Sequence, residues 1–233
     1  MSDLNSVGFG RDVSVATAQS RNRVLRNTYA LLALSMVPTV IGAWLGVAMG
    51  FTFFEGSPFM GAIIFLAVAF GFFWAIEKNK DTGMGVVLLL AFTFFMGVML
   101  SRLIGMTLGS YSNGAALIMG AFGGTAAIFT VMASIATVSK KDFSGMGKFL
   151  FVGALAVMIG SIINVFVGST VGMLVISVMV IGIFSAYMLY DIKQIIDGGE
   201  TNYISATLAL YLDIFNVFQG LLALLGLTSG NND

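Results

Sequence analysis

The sequence predicts an all-α, polytopic membrane protein of seven transmembrane helices, and three observations carry that prediction. The chain of 233 residues is 58% hydrophobic and 9% charged, where a soluble domain carries about 25% charged residues. Seven apolar stretches reach roughly the 20 residues that cross about 30 Å of hydrocarbon. None of them alternates apolar with polar residues, which excludes a closed β-barrel, the other structure that lipid permits.

The elements follow in order. Residues 1–23, MSDLNSVGFGRDVSVATAQSRNR, are polar and mixed, and are expected as a flexible cytoplasmic tail. The apolar run after them is too long for the h-region of a signal peptide. The seven-helix transmembrane domain takes residues 24–228, with spans expected near 28–50, 58–77, 84–106, 115–138, 147–167, 171–196 and 204–227. Between them stand EGSP at 55–58, KNKDTG at 78–83, GSYSNG at 109–114, KKDFSG at 140–145, GST at 168–170 and GGETN at 198–202, all with turn chemistry. Such short turns make consecutive helices antiparallel neighbours. Residues 229–233 remain as a short C-terminal tail.

Lysine and arginine set the orientation. With the N-terminus cytoplasmic, Arg11, Arg21, Arg23, Arg26, Lys78, Lys80, Lys140, Lys141, Lys148 and Lys193 lie inside, and Arg102 alone lies near the outside. That asymmetry follows the positive-inside rule and sends the C-terminus to the external face. Glycines at small-xxx-small spacing, Gly42, Gly46 and Gly50 and then Gly120 and Gly124, suit close packing inside the bundle or a dimerisation face.

Composition also removes functions. The chain has no cysteine, so disulfides, thiol catalysis and thiolate metal sites are excluded. With no histidine, proton chemistry falls to carboxylates. A net charge of zero without a basic block gives nucleic-acid binding no electrostatic support.

Two carboxylates stand out. Asp213 sits mid-span, where an aspartate costs about 2.5–3.5 kcal/mol, and such residues are usually paired and mark an ion or proton path. Asp191 lies within span 6, because Ile192, Ile195 and Ile196 continue the apolar pattern to the stop at Gly198-Gly199. On an antiparallel hairpin turning near 202, Asp191 and Asp213 fall level, about 13–17 Å from the turn. Two such carboxylates in a low dielectric cannot both ionise cheaply, so they share a proton, and without it they suit a hard cation such as calcium. The alternative is two separate polar contacts, made with Tyr187, Tyr190 or Asn216. Glu55, Glu77, Asp81, Asp142, Asp197 and Glu200 lie at loop edges or in turns, where solvation explains them.

The run YDIKQII followed by GGETNYISATLALYLDIFNVF resembles the C-terminal signature of the Bax-inhibitor (transmembrane Bax-inhibitor-motif) family. RNRVLRNTYALLALS at 21–35 and GGETNYISAT at 198–207 resemble its bacterial YccA-type branch. The resemblance implies a last helix wrapped by the other six, in a multi-pass protein of the bacterial inner membrane. It implies a pH-dependent calcium leak sensed by the pair that aligns with Asp191 and Asp213, with calcium as transported ion and no cofactor. It also implies association with the membrane protease FtsH, with the N-terminal tail as handle. The family's arginine in the second helix is missing here: FMGAIIFLAVAFGFFWAI holds none.

Catalysis is disfavoured. Tyr190-Asp191 imitates half of an intramembrane aspartyl protease motif, but Asp213 follows Leu210, Tyr211 and Leu212, where those enzymes have glycine. A Ser/His pair is impossible without histidine.

Overall fold

A computed structural model describes the backbone of residues 3–51 and 58–229, and side chains for 19–51 and 60–229. Seven helices follow one another: α1 (Asp3–Ala48), α2 (Pro58–Asn79), α3 (Gly83–Ser110), α4 (Gly114–Val138), α5 (Met146–Val167), α6 (Thr170–Asp197) and α7 (Tyr203–Ser229). Each holds a stretch long and apolar enough to cross a membrane. From α2 onward, the ends fall within four residues of those expected. Glycine explains two of the stops: Gly168 (φ 65°) and Gly198 (φ 85°) adopt the left-handed conformation that closes α5 and α6 and that side chains with a Cβ disfavour. Ser169 then caps α6, its Oγ accepting the Gly172 N–H at 3.0 Å. Glu55 and most of the EGSP turn lie outside the described residues, as do residues 230–233 of the expected C-terminal tail.

The N-terminal segment differs from expectation. Within residues 1–23, expected as a flexible cytoplasmic tail, α1 is helical from Asp3 and runs unbroken into the first span, of which Gln19–Ala48 is the apolar part. No proline precedes Pro38, so nothing in the polar stretch forces the helix to stop.

The glycine spacing serves packing within the bundle. A Cβ at Gly42 would collide with the Phe94 carbonyl, and one at Gly97 with the Thr39 carbonyl, so α1 and α3 touch backbone to backbone. Gly46 meets Ser101 of α3, and Gly120 and Gly124 meet Leu225 and Leu221 of α7. Gly50 has open space around it.

Helix α7 is the centre of the bundle. It packs against α1, α2, α3, α4 and α6, and it buries Leu210, Tyr211, Val217 and Leu222 almost completely. The expected wrapping by all six others is not met: among the described residues α5 packs on α6 alone. A cavity between α5, α6 and α7 holds the fifth helix away from the last.

The turns sort onto two faces. On one, Asn202 of the α6–α7 turn donates to the Lys80 carbonyl (3.1 Å) and to Asp81 Oδ1 (2.8 Å) of the α2–α3 turn. On the same face Lys193 Nζ donates to the Ser139 carbonyl at the end of α4 (2.9 Å), and the Arg21 guanidinium lies against Gly198. On the other face, Tyr111 of the α3–α4 turn lies against Gly226 near the end of α7. The first span therefore begins, and the last ends, on opposite faces.

Candidate functional site

The hairpin of α6 and α7 is fixed at its turn. The Gly198 N–H bonds back to the Gln194 and Ile195 carbonyls, closing α6. Asn202 opens α7 by accepting the N–H groups of Ile204 (2.8 Å) and Ser205 (3.2 Å) at its side-chain oxygen, as a capping residue does. Its own amide is the group that ties the turn to the α2–α3 loop. Both helices thus leave the turn in a defined register.

That register brings Asp191 and Asp213 together, near enough for each carboxyl group to act on the other. Asp213 is 4% exposed. Asp191 lies six residues before the end of α6 and Asp213 ten after the start of α7, so the two helices are staggered by about one turn. The depth expected from a symmetric hairpin needs that correction. Asp213 Oδ2 is buried without a hydrogen-bond donor. Two ionised carboxylates bring acceptors and no donor, so one proton between them would supply what this oxygen lacks.

The charged neighbourhood is sparse. The groups acting electrically on the pair are each carboxylate on the other and Glu200 on Asp191. No lysine or arginine among the described residues faces either one. Lys193, the nearest cation in sequence, is turned away toward Ser139 and Asp197, the latter at 3.1 Å. Among the described residues no three of His, Cys, Asp or Glu converge. The two carboxylates alone supply fewer than the six to eight oxygens that a calcium ion takes.

The three expected supporting residues part company. Tyr187 lies within electrostatic range of both aspartates. Tyr190 points elsewhere, its hydroxyl packed against Gly147 of α5. Asn216 donates to the Leu212 carbonyl of its own helix (2.7 Å) and lines the neighbouring cavity. Glu200, read from sequence as a solvated turn residue, accepts the Asn202 N–H (2.7 Å) and stands toward Asp191. Its place just past a Gly-Gly helix stop was the signal available.

Sequence comparison fits this geometry. The profile of the family described as "Inhibitor of apoptosis-promoting Bax1" matches residues 21–230, which spans every element that builds the pair. The chain belongs to the Bax inhibitor family. Within this family it is 37% identical over 229 residues to an uncharacterized membrane protein of Vibrio cholerae, covering 98% of this chain and 100% of that one. It is 35% identical over 210 residues to the Escherichia coli protein named "Modulator of FtsH protease YccA", covering 90% of this chain and 92% of the relative. A counterpart from another Escherichia coli strain, at the same identity and coverage, is named "Inner membrane protein YccA".

Proposed function

We propose that this chain is a pH-gated calcium leak of the bacterial inner membrane, with Asp191 and Asp213 as its proton sensor and ion step. The single observation that supports this most is the pairing of half-buried Asp191 with buried Asp213, with no lysine or arginine among the described residues facing them. The arginine that the family resemblance implied for the second helix has no substitute near the pair among the described residues. A proton is then the charge that closes the pair, and calcium competes with it. As pH rises through the titration of the pair, the proton leaves and the divalent ion is taken up. Tyr187 and Glu200 are the other titratable groups facing the site.

The test is calcium uptake into proteoliposomes at several pH values near neutrality. Asp191→Asn and Asp213→Asn should each remove the pH dependence. The double variant should add little, since both changes break one unit. Retained pH dependence in either single variant would sink the reading. We take the protein to be non-catalytic: Leu210 and Tyr211, beside Asp213, are 0% and 1% exposed, which leaves no slot for a peptide backbone at the pair.

A second reading, modulation of an FtsH-type protease, is favoured by the name of the Escherichia coli relative. The N-terminal segment ahead of Gln19 would be the handle, on the cytoplasmic face. Deleting residues 1–18 keeps the first span and Arg21, and should lengthen the protein's lifetime in cells containing FtsH. An unchanged lifetime counts against this role and leaves the leak untouched.

A further inference from the structure

The faces of α6 and α7 that carry the two aspartates continue toward the α5–α6 turn and there line a partly open cavity of about 870 Å³, bounded on its third side by α5. On α6 the lining residues Ser177, Val180 and Phe184 follow at steps of three and four, and the same step leads on through Tyr187 to Asp191. On α7 the lining residues Gln219 and Asn216 lead by a step of three to Asp213. Residues three or four apart share one helix face, so cavity and aspartate pair lie on one continuous track. Ser161, Ser177 and Asn216 in its wall bond to carbonyls of their own helices, while Asn164 of α5 and Gln219 of α7 add further side-chain amides. Lipid tails offer an amide no partner, and water does. At the inner end the Phe184 ring stands 5.8 Å from that of Tyr187, and Tyr187 is the residue beside the carboxylates.

We infer that this cavity is a water-filled approach to Asp191 and Asp213 from the face carrying the α5–α6 turn, with the Phe184 and Tyr187 rings as its inner barrier. The inference rests on the reading of the pair as an ion site.

The chain has no cysteine, so a single introduced thiol is the only one to react. Ser177→Cys and Gln219→Cys in the full-length protein test two walls of the cavity. Val175→Cys, half exposed on the lipid side of α6 two residues from Ser177, is the control. The probe is a small, membrane-impermeant cationic methanethiosulfonate applied to the face with the α5–α6 turn. Both cavity thiols should react faster than the control, on the order of a hundredfold given what a charge costs in lipid. Modification at Ser177→Cys should also remove most of the calcium uptake, and treatment of Val175→Cys should leave it unchanged. Equal, slow labelling at all three positions means that lipid fills the cavity and overturns the proposal. Fast labelling with unchanged uptake overturns its role as an approach. Failure of the underlying reading looks different, as uptake whose pH dependence survives Asp213→Asn.

Discussion

A hydroxyl carried into lipid must find its partners inside the protein, and Tyr211 finds them on two other helices. Its Oη lies 2.9 Å from Thr39 Oγ1 of α1 and donates to the Thr93 carbonyl of α3 at 3.3 Å. Thr39 in turn donates to the Ser35 carbonyl (2.9 Å), one turn back in a helix that Pro38 deprives of a backbone donor. Tyr211→Phe keeps the ring, which stacks edge-on to Phe92 at 6.2 Å, and removes the shared hydroxyl. Its cost should be about 0.6 kcal/mol, the average for such bonds between membrane helices, read as a small drop in unfolding temperature in detergent. A loss of several degrees more would show that the hydroxyl holds the helices in register. This polar knot was not legible in the sequence, since Thr39, Thr93 and Tyr211 are individually ordinary and meet across long separations. Asp191 and Asp213 were legible because an intramembrane carboxylate is expensive wherever it points. Whether each of Tyr187, Tyr190 and Asn216 supported them depended on side-chain direction, and periodicity leaves that open by about half a turn.

The crossing of α1 and α3 is the tightest contact between elements, because Gly42, Gly46 and Gly97 remove the side chains that would hold the backbones apart. Gly97→Ala sets a methyl group against the Thr39 carbonyl, and overpacking of this kind costs about 1–3 kcal/mol. Gly105, farther along α3, has nothing within 4 Å of a built Cβ, so Gly105→Ala should be neutral or slightly stabilising through helix propensity. Thermal unfolding of the two variants beside the parent checks this, and equal behaviour would mean that the crossing is looser than described. The spacing of Gly42 and Gly46 announced a flat helix face in the sequence. It did not say which helix covers that face, although Thr93, Gly97, Ser101 and Gly105 repeat the same small-residue spacing on α3. Much the same holds for α6 and α7, whose pairing followed from a short turn but whose stagger depended on how Asn202 and Gly198 shape that turn.

At the scale of the whole molecule, three links gather the α2–α3, α4–α5 and α6–α7 turns and the start of the first span on one face: Asn202 to Lys80 and Asp81, Lys193 to Ser139, and Arg21 to Gly198. That face also carries most of the lysines and arginines, so by the positive-inside rule it should be cytoplasmic. A reporter fused ahead of Met1 should behave as cytoplasmic and one fused after Asp233 as external. Both reporters on one side would remove a span and break the hairpin argument. The number and limits of the spans were readable because hydropathy and turn residues report directly on what lipid accepts. The position of each helix in the bundle was not, because an apolar surface meets lipid and protein equally well. For that reason α5, with the highest mean hydropathy of its span at 2.4 and the smallest buried share at 11%, looked in sequence like any of its neighbours.

The peripheral place of α5 also bears on how such a sequence can change over generations. A helix with one protein neighbour has one strip to conserve, facing α6, and a broad remainder whose solvent is interchangeable hydrocarbon. Positions such as Phe149 and Phe166, 81% and 78% exposed, are free to drift among apolar residues. Helix α7, hemmed in by five others, has almost no such freedom. The record of selection in this chain should therefore be written unevenly, dense along the last helix and faint along the fifth.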